Sequence, residues 1–381
     1  MARSKRFYPV VALLAFALVA CEAEAEVSPS LDIGLASPDA GQASPDPATT
    51  AAPAETGQPG PGPGGGRLGL VQGRGQLICG VNGGLPGFSF LEEGTGTWSG
   101  FDVDYCRAIA AAVLGDADAV EFRALNADDR GPALQTGEVD VLIRNTTWTV
   151  SRDTSWGLFA PTTFYDGQGM MVTAATGAST LQDLAGATIC VQSGTTTELN
   201  LTDQMRALGV DFSPQVFGDI DATYEAYTQG RCDAVTSDRS QLVARRTQFA
   251  NPDDHVLLDV VMSKEPLGPV APLNDDQWFN VIKWTVFATI EAEELELTSD
   301  NVARTADSTD NPVVMRLLGR EGELAAGLGL EPDWVVNVIS SVGNYAEIYD
   351  RNLGPGTPFD LDRGPNRLWT DGGLLYAPPY R

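Results

Sequence analysis

A single histidine, His255, serves the whole 381-residue chain, and that scarcity removes several chemistries at once. A zinc site made of three histidines cannot be built, and a Ser-His or Cys-His catalytic unit would have to use that one residue. Positive charge is scarce as well, with 24 Lys and Arg against 51 Asp and Glu, a formal net charge of −27. Such a chain repels phosphate backbones, and no dense Lys/Arg cluster outside the extreme N-terminus offsets the repulsion, so no nucleic-acid partner is expected. Long apolar runs are missing too: Val10 to Ala20 is uninterrupted but too short to span a bilayer as a finished helix. From Glu22 to Gly66 there is no aromatic residue and no Lys or Arg, and Pro, Gly, Ala, Ser and Thr recur throughout. That stretch cannot bury enough apolar surface to fold.

What is present begins with an address. Arg3, Lys5 and Arg6 precede the apolar run, the layout of a signal peptide over residues 1–20. Leu18-Val19-Ala20-Cys21 resembles the lipobox of bacterial lipoproteins, which implies that Cys21 becomes the lipidated first residue of the mature chain. The alternative is ordinary secretory cleavage near Ala23 or Ala25. Acyl chains contribute on the order of 0.8 kcal/mol per buried CH2, so such an anchor would hold the protein on a membrane without a spanning helix. Residues 21–66 then read as a disordered tether reaching roughly 35 to 40 Å on average.

Beyond Arg67 the pattern becomes strand, helix, strand, helix, strand: Leu77-Val81, Asp102-Leu114, Val120-Leu125, a short helix to Thr136, and Asp140-Arg144. It recurs as Ala187-Gln192, Thr195-Leu208, Gln215-Gly218, Ile220-Gln229 and Asp233-Ser237. Gly137-Glu138-Val139-Asp140 and Gly230-Arg231-Cys232-Asp233 fall at equivalent turns. Two similar α/β halves put a ligand in the crevice at the carboxyl ends of their strands. A long amphipathic helix follows over Trp278-Glu294, then further helix to about Tyr349 and a Gly/Pro-rich tail.

Three polar clusters lie at strand ends. Arg144 to Arg152 (RNTTWTVSR) offers an amide at Asn145, a hydroxyl at Thr147 and a guanidinium at Arg152 able to take a carboxylate bidentately. Taken alone, such a turn is also a helix cap beside a surface charge. Gln192 to Glu198 (QSGTTTE) is a strand-to-helix turn whose free N–H groups suit an anion, while Thr195 or Thr196 with Glu198 equally forms a capping box. No P-loop lysine follows Gly194, so phosphate is not expected. Asp238 ends the strand Asp233-Ser237 and is either an acceptor for an ammonium group or the plain N-cap of Arg239-Arg246.

Here the residues carry a resemblance. Gly100-Phe101-Asp102-Val103-Asp104-Tyr105-Cys106-Arg107-Ala108-Ile109-Ala110 resembles the signature of the family 3 bacterial extracellular solute-binding proteins. The strings at Gly80-Phe88, Arg144-Thr149, Tyr165-Gly169, Gly194-Leu201, Ser263-Pro269, Val342-Tyr345 and Tyr376-Pro379 look like the general L-amino acid-binding subgroup. The similarity covers about Leu77 to Arg381. It implies a two-lobed periplasmic-binding-protein-like fold (type II), with lobe 1 formed by 67–171 and 270–381 and lobe 2 by 172–269. It further implies capture of one free amino acid for the permease subunits of an ABC transporter, with no cofactor and no metal.

By that similarity Arg152 grips the α-carboxylate with help from Thr147 and the turn at Thr195 and Thr196, while Asp238 takes the α-ammonium with Asn145 nearby. Leu85 stands where many relatives have an aromatic that covers the ligand side chain. Arg144 points either inward, favouring acidic and amide side chains, or outward, leaving broad specificity. The four cysteines after Cys21 permit three pairings, and keeping each bridge within one lobe selects Cys79 with Cys106 and Cys190 with Cys232. Two rival readings share the fold: a sensory protein reporting to a receptor, and a carboxylic acid dehydratase, which needs a further acid or base that the sequence does not supply.

Overall fold

The computed structural model describes Gly66 to Arg381. The signal peptide, Cys21 and nearly all of the tether lie outside the described residues. Helix α1 (Arg67–Arg74) leads into β1 (Leu77–Val81), then a small antiparallel sheet of β2 (Gly84–Leu85), β3 (Ser89–Glu92) and β4 (Thr97–Ser99). Next come α2 (Phe101–Leu114), β5 (Val120–Ala124), α3 (Arg130–Thr136), β6 (Val141–Leu142), α4 (Val150–Ser155) and β7 (Gly157–Phe159). The chain then enters a second sheet through the ten-residue β8 (Phe164–Thr173) and continues as β9 (Thr188–Gln192), α5 (Thr196–Leu208), β10 (Ser213–Phe217), α6 (Ile220–Thr228), β11 (Ala234–Asp238), α7 (Arg239–Arg246) and β12 (His255–Leu257). It returns by β13 (Lys264–Leu267) to β14 (Val270–Pro272) and α8 (Asp276–Glu294). Five shorter helices follow: α9 (Val302–Ser308), α10 (Pro312–Leu317), α11 (Leu324–Leu328), α12 (Trp334–Val342) and α13 (Tyr345–Asn352).

The wiring expected from the sequence is there twice. Lobe 1 has strand order β5-β1-β6-β14-β7 and lobe 2 has β10-β9-β11-β8-β12, with β1, β5 and β6 parallel and β9, β10 and β11 likewise parallel. Gly137 and Gly230 both adopt positive φ, 76° and 72°, to turn from helix to third strand. Three residues later an aspartate repeats as well. Asp140 accepts the N–H of Ile78 at 2.7 Å and Asp233 that of Thr188 at 2.8 Å, each pinning the start of the first strand beside it. Both disulfides form as expected, Cys79–Cys106 in lobe 1 and Cys190–Cys232 in lobe 2.

The crossover lies elsewhere than the sequence suggested. The boundary drawn at 171/172 falls inside β8, which belongs whole to the second sheet and pairs with β13 over Phe164–Gly167. The two connecting segments are therefore residues 160–163, between β7 and β8, and 268–269, between β13 and β14. The helices beyond Glu294 fasten to lobe 1 and to this hinge. The α8 face Trp278, Val281, Ile282, Thr285, Val286 and Thr289 is buried at helical spacing. Tyr345 donates from its hydroxyl to the Thr163 carbonyl at 2.8 Å, and Tyr380 to that of Trp284 at 3.0 Å. The side chain of Asn366 takes the N–H of Tyr165 at 2.7 Å and gives its own N–H to the Tyr165 carbonyl at 3.1 Å, so the tail grips β8 where the chain crosses.

Candidate ligand-binding cleft

The carboxyl ends of β6, β9 and β11 meet across the space between the sheets, and there the buried charges collect. Arg130, Arg144, Asn145, Thr147 and Arg152 come from lobe 1, and Gln192, Thr195, Thr196, Thr197, Ser237, Asp238 and Gln241 from lobe 2. The cavity they enclose is about 20 Å³, room for one water molecule. A cavity of that size admits nothing larger than water unless the lobes part. A larger space of about 820 Å³ lies against the hinge, lined mainly by apolar groups such as Trp148, Tyr165, Val261 and Leu374. Three buried arginines and Asp238 converge on the small cavity, which makes it the candidate site.

Local sequence explains how each group is held. Asn145 is turned into the left-handed region, φ 32°, directly after β6, and its N–H is caught by the buried carboxylate of Asp102 at 2.8 Å. Burial pushes that carboxyl up to about 6, against the opposing pull of the Asn145 N–H and of Arg144. So fixed, the Asn145 amide donates across the cleft to Gln241 at 3.1 Å and to Asp238 at 3.5 Å. Thr149 caps α4 by accepting the N–H of Arg152. The guanidinium of Arg152 then lies over the Trp156 ring, 4.8 Å from its centroid, and donates to the carbonyls of Thr147 at 3.1 Å and Gly194 at 3.3 Å. Arg152 is thus in the cleft rather than on the surface, and burial pulls its pKa down, opposed by Glu265 and Asp238.

The two readings of the lobe 2 turns separate cleanly. Thr195 is an N-cap, accepting the N–H of Glu198, but Glu198 returns its carboxylate to the N–H of Gly194 at 3.2 Å instead of closing the box on Thr195. Asp238 precedes α7 without making any side-chain cap bond. Its carboxylate is 6% exposed and faces the cleft, and burial, Asp166 and Glu265 together raise its pKa well above the ordinary range. A buried carboxylate in that condition is stabilised by an arriving cation.

Arg144 points inward. It is 3% exposed, lines the cavity and donates from Nε to the Leu125 carbonyl at 2.8 Å, and burial lowers its pKa to about 10. Leu85 is a correction: it is wholly buried in the main core of lobe 1 and is not among the cavity-lining residues. The alternation of β2 turns Leu85 into that core and leaves Gly84 on the side of Arg245.

Arg130 escaped sequence reasoning. It donates to the carbonyls of Ala127 at 2.9 Å and, across the cleft, Gly194 at 2.9 Å, with burial and the neighbouring Arg144 and Arg152 lowering its pKa. An arginine after two aspartates at a helix start reads as surface charge; only the Gly131-Pro132 pair that lets Trp156 close over it hinted otherwise. Gln241, on the α7 face beside Asp238, was missed for the same reason.

A two-lobed α/β protein with a buried arginine on one lobe and a buried carboxylate on the other, both lining one cavity, has the form of a solute-binding protein. The chain belongs to the bacterial extracellular solute-binding proteins, family 3, whose model matches residues 77–296. Among its relatives, the general L-amino acid-binding periplasmic protein AapJ of Rhizobium johnstonii is 49% identical over 82% of this chain and 92% of its own. The glutamate/glutamine/aspartate/asparagine-binding protein BztA of Rhodobacter capsulatus is 46% identical over 82% and 92%. A solved ABC transporter periplasmic binding protein from Brucella ovis, with glutathione bound, is 50% identical and superposes with a TM-score of 0.80 over 82% of this chain and 99% of that one.

Proposed function

We propose that the protein captures a free L-amino acid between its lobes and delivers it to the permease subunits of an ABC transporter, favouring acidic and amide side chains. The observation that carries this is the meeting of Arg152 from lobe 1 and Asp238 from lobe 2 in one buried cavity. An amino acid has two fixed charges of opposite sign, and burying them costs several kcal/mol per ion unless each is paired. Groups on opposite lobes satisfy both ends only when the lobes close, so one ligand stabilises the closed form and the transporter distinguishes loaded from empty protein by shape. Arg130 and Arg144 add two guanidinium groups at the same cavity, which favours an acidic or amide side chain over Lys or Arg. This is binding without covalent chemistry. Cys21, lipidated, would keep the protein outside the cytoplasm on a membrane, and mass spectrometry of the mature N-terminus tests that anchor.

Calorimetric titration of refolded, ligand-free protein against the twenty L-amino acids and glutathione tests the function. Glu, Gln, Asp and Asn should bind tightest, and Arg144→Ala should lower the Glu-to-Lys affinity ratio about tenfold, or about 1.4 kcal/mol. Tighter binding of Lys or Arg would overturn the preference, and absence of any binding would overturn the function.

A further inference from the structure

Strand β13 carries a carboxylate that the ligand-binding scheme does not use. Glu265 is 1% exposed, and none of its oxygens meets a Lys, Arg or His within ion-pair distance among the described residues. Four uncharged donors surround it instead. Oε2 accepts the hydroxyls of Thr147 at 2.6 Å and Thr196 at 2.7 Å; Oε1 accepts the Asn200 amide at 2.9 Å and the Ser263 hydroxyl. Backbone pairing brings this about, since Thr147 bridges to Leu267 and the Trp148 N–H bonds the Pro266 carbonyl.

The two threonines come from opposite lobes and both line the cleft, their hydroxyl oxygens 3.4 Å apart. A hydroxyl has one proton and two lone pairs. With both protons committed to Glu265, neither threonine has one left for a ligand carboxylate, and what each can offer the cavity is a lone pair. The role expected for Thr147, helping Arg152 with the carboxylate, does not follow from this arrangement.

We propose that Glu265 is a positioning residue for amino acid capture: by taking the hydroxyl protons of Thr147 and Thr196 it fixes Thr147 as an acceptor for the ligand's ammonium group, alongside Asp238. The α-carboxylate is left to Arg152 and to the backbone N–H groups at the start of α5. The inference rests on the amino acid-binding reading and adds a reason for selecting α-ammonium over an uncharged α-substituent. Because one oxygen atom of Glu265 receives a proton from each lobe, the acceptor is fully formed only when the lobes are together.

The test is a selectivity, not an affinity. L-glutamate and L-alanine are titrated beside 2-hydroxyglutarate and lactate, which replace the ammonium with a hydroxyl, using full-length wild-type protein, Glu265→Met and Glu265→Gln. Met removes the acceptor, and the freed threonine protons turn toward the cavity. The amino acid should lose at least tenfold in affinity while the hydroxy acid, which accepts a proton as readily as it gives one, changes less than threefold. Gln keeps one acceptor oxygen and should fall between. Adding Thr147→Val should weaken L-glutamate binding in wild type but not further in Glu265→Met. Equal losses for amino and hydroxy acids in both variants would make Glu265 merely structural and overturn the proposal. If Glu265→Met does not fold, an unchanged ratio in Glu265→Gln together with additive Thr147→Val losses overturns it. Wild-type protein that binds neither amino acid refutes the reading beneath it, and with it the proposal, before any variant is compared.

Discussion

The two lobes share a wiring but not a core. On one face of the lobe 1 sheet a large apolar cluster runs from α1 through β1, α2 and α8 to Tyr380, gathering in the C-terminal helices, while a small one with Leu125, Leu134, Leu142, Phe159 and Val270 covers the other face. The lobe 2 sheet divides its apolar residues between two small clusters, Met170, Val172, Ile189 and Val191 on one face and Met171, Cys190 and Val235 on the other. That alternation is the period of two of a strand covered on both sides. Lobe 1 is therefore the massive body, and lobe 2 the thinner one that depends on its bridge. The helices responsible lie beyond the stretch matched by the family model, which ends at 296.

The sharpest way to break this contrast is through the disulfides. The Cys190–Cys232 bridge closes 42 residues and Cys79–Cys106 closes 27, so chain entropy assigns them about 4 and about 3.5 kcal/mol. Although these are similar, replacing Cys190 and Cys232 by Ala should split urea denaturation into two transitions, with lobe 2 melting first. Replacing Cys79 and Cys106 should shift one common transition. A single transition in both variants would mean that the hinge makes the lobes one cooperative unit.

Next in size is the division of ligand groups. Arg152→Ala should weaken amino acid binding at least 100-fold, about 2.7 kcal/mol, and Arg152→Lys at least tenfold, because an ammonium cannot reproduce the planar fork. Binding within threefold of wild type by calorimetry would move the carboxylate to the α5 terminus.

A smaller effect lies in lobe 2, close to the hinge. Burial pushes the carboxyl of Asp166, in β8, up to about 6, and the Ser240 hydroxyl and N–H that bond it oppose the rise only partly. An unfolded aspartate titrates near 3.9, so between about pH 4 and 6 the folded protein holds a proton that the unfolded chain has lost. Its contribution to stability is complete below that window and is lost as pH rises through it, on the order of 1 to 3 kcal/mol. Asp166→Asn should flatten the wild-type decline in a denaturation series from pH 4 to 7; identical slopes would remove the assignment.

The smallest expected change comes from Asn366→Ala. Two hydrogen bonds to Tyr165 contribute about 1 to 2 kcal/mol. Loss of this grip should raise the radius of gyration of ligand-free protein by scattering while leaving Arg152-dependent binding intact. No change in either would confine Asn366 to packing.

Much of this was legible beforehand because periodicity carries it. The repeated β-α-β pattern follows from spacing, the disulfide pairing from keeping each bridge within one lobe, and the roles expected of Arg152 and Asp238 from the family resemblance. Where two physical uses compete for one residue, sequence alone leaves both open. Asp238 is as good a cap as an acceptor, and only the missing cap bond decides. Leu85 failed because a two-residue strand fixes a facing that no local pattern announces. The crossover was misplaced since the polar Asp166-Gly167-Gln168-Gly169 stretch reads as a break, whereas it lies within the continuous strand β8. Arg130 and Glu265 are charged residues whose burial arises from contacts 64 to 118 positions away, beyond the reach of any local rule.

Lobe 2 is an unbroken stretch set within lobe 1, and the lobe 1 core takes in Tyr380, whose ring packs on Trp284 and whose hydroxyl bonds its carbonyl. A polypeptide emerging in order of synthesis thus has everything needed for lobe 2 long before its neighbour can close. Removing Tyr380 would therefore uncover Trp284 and open an edge of the larger core while leaving the contacts of the smaller lobe whole.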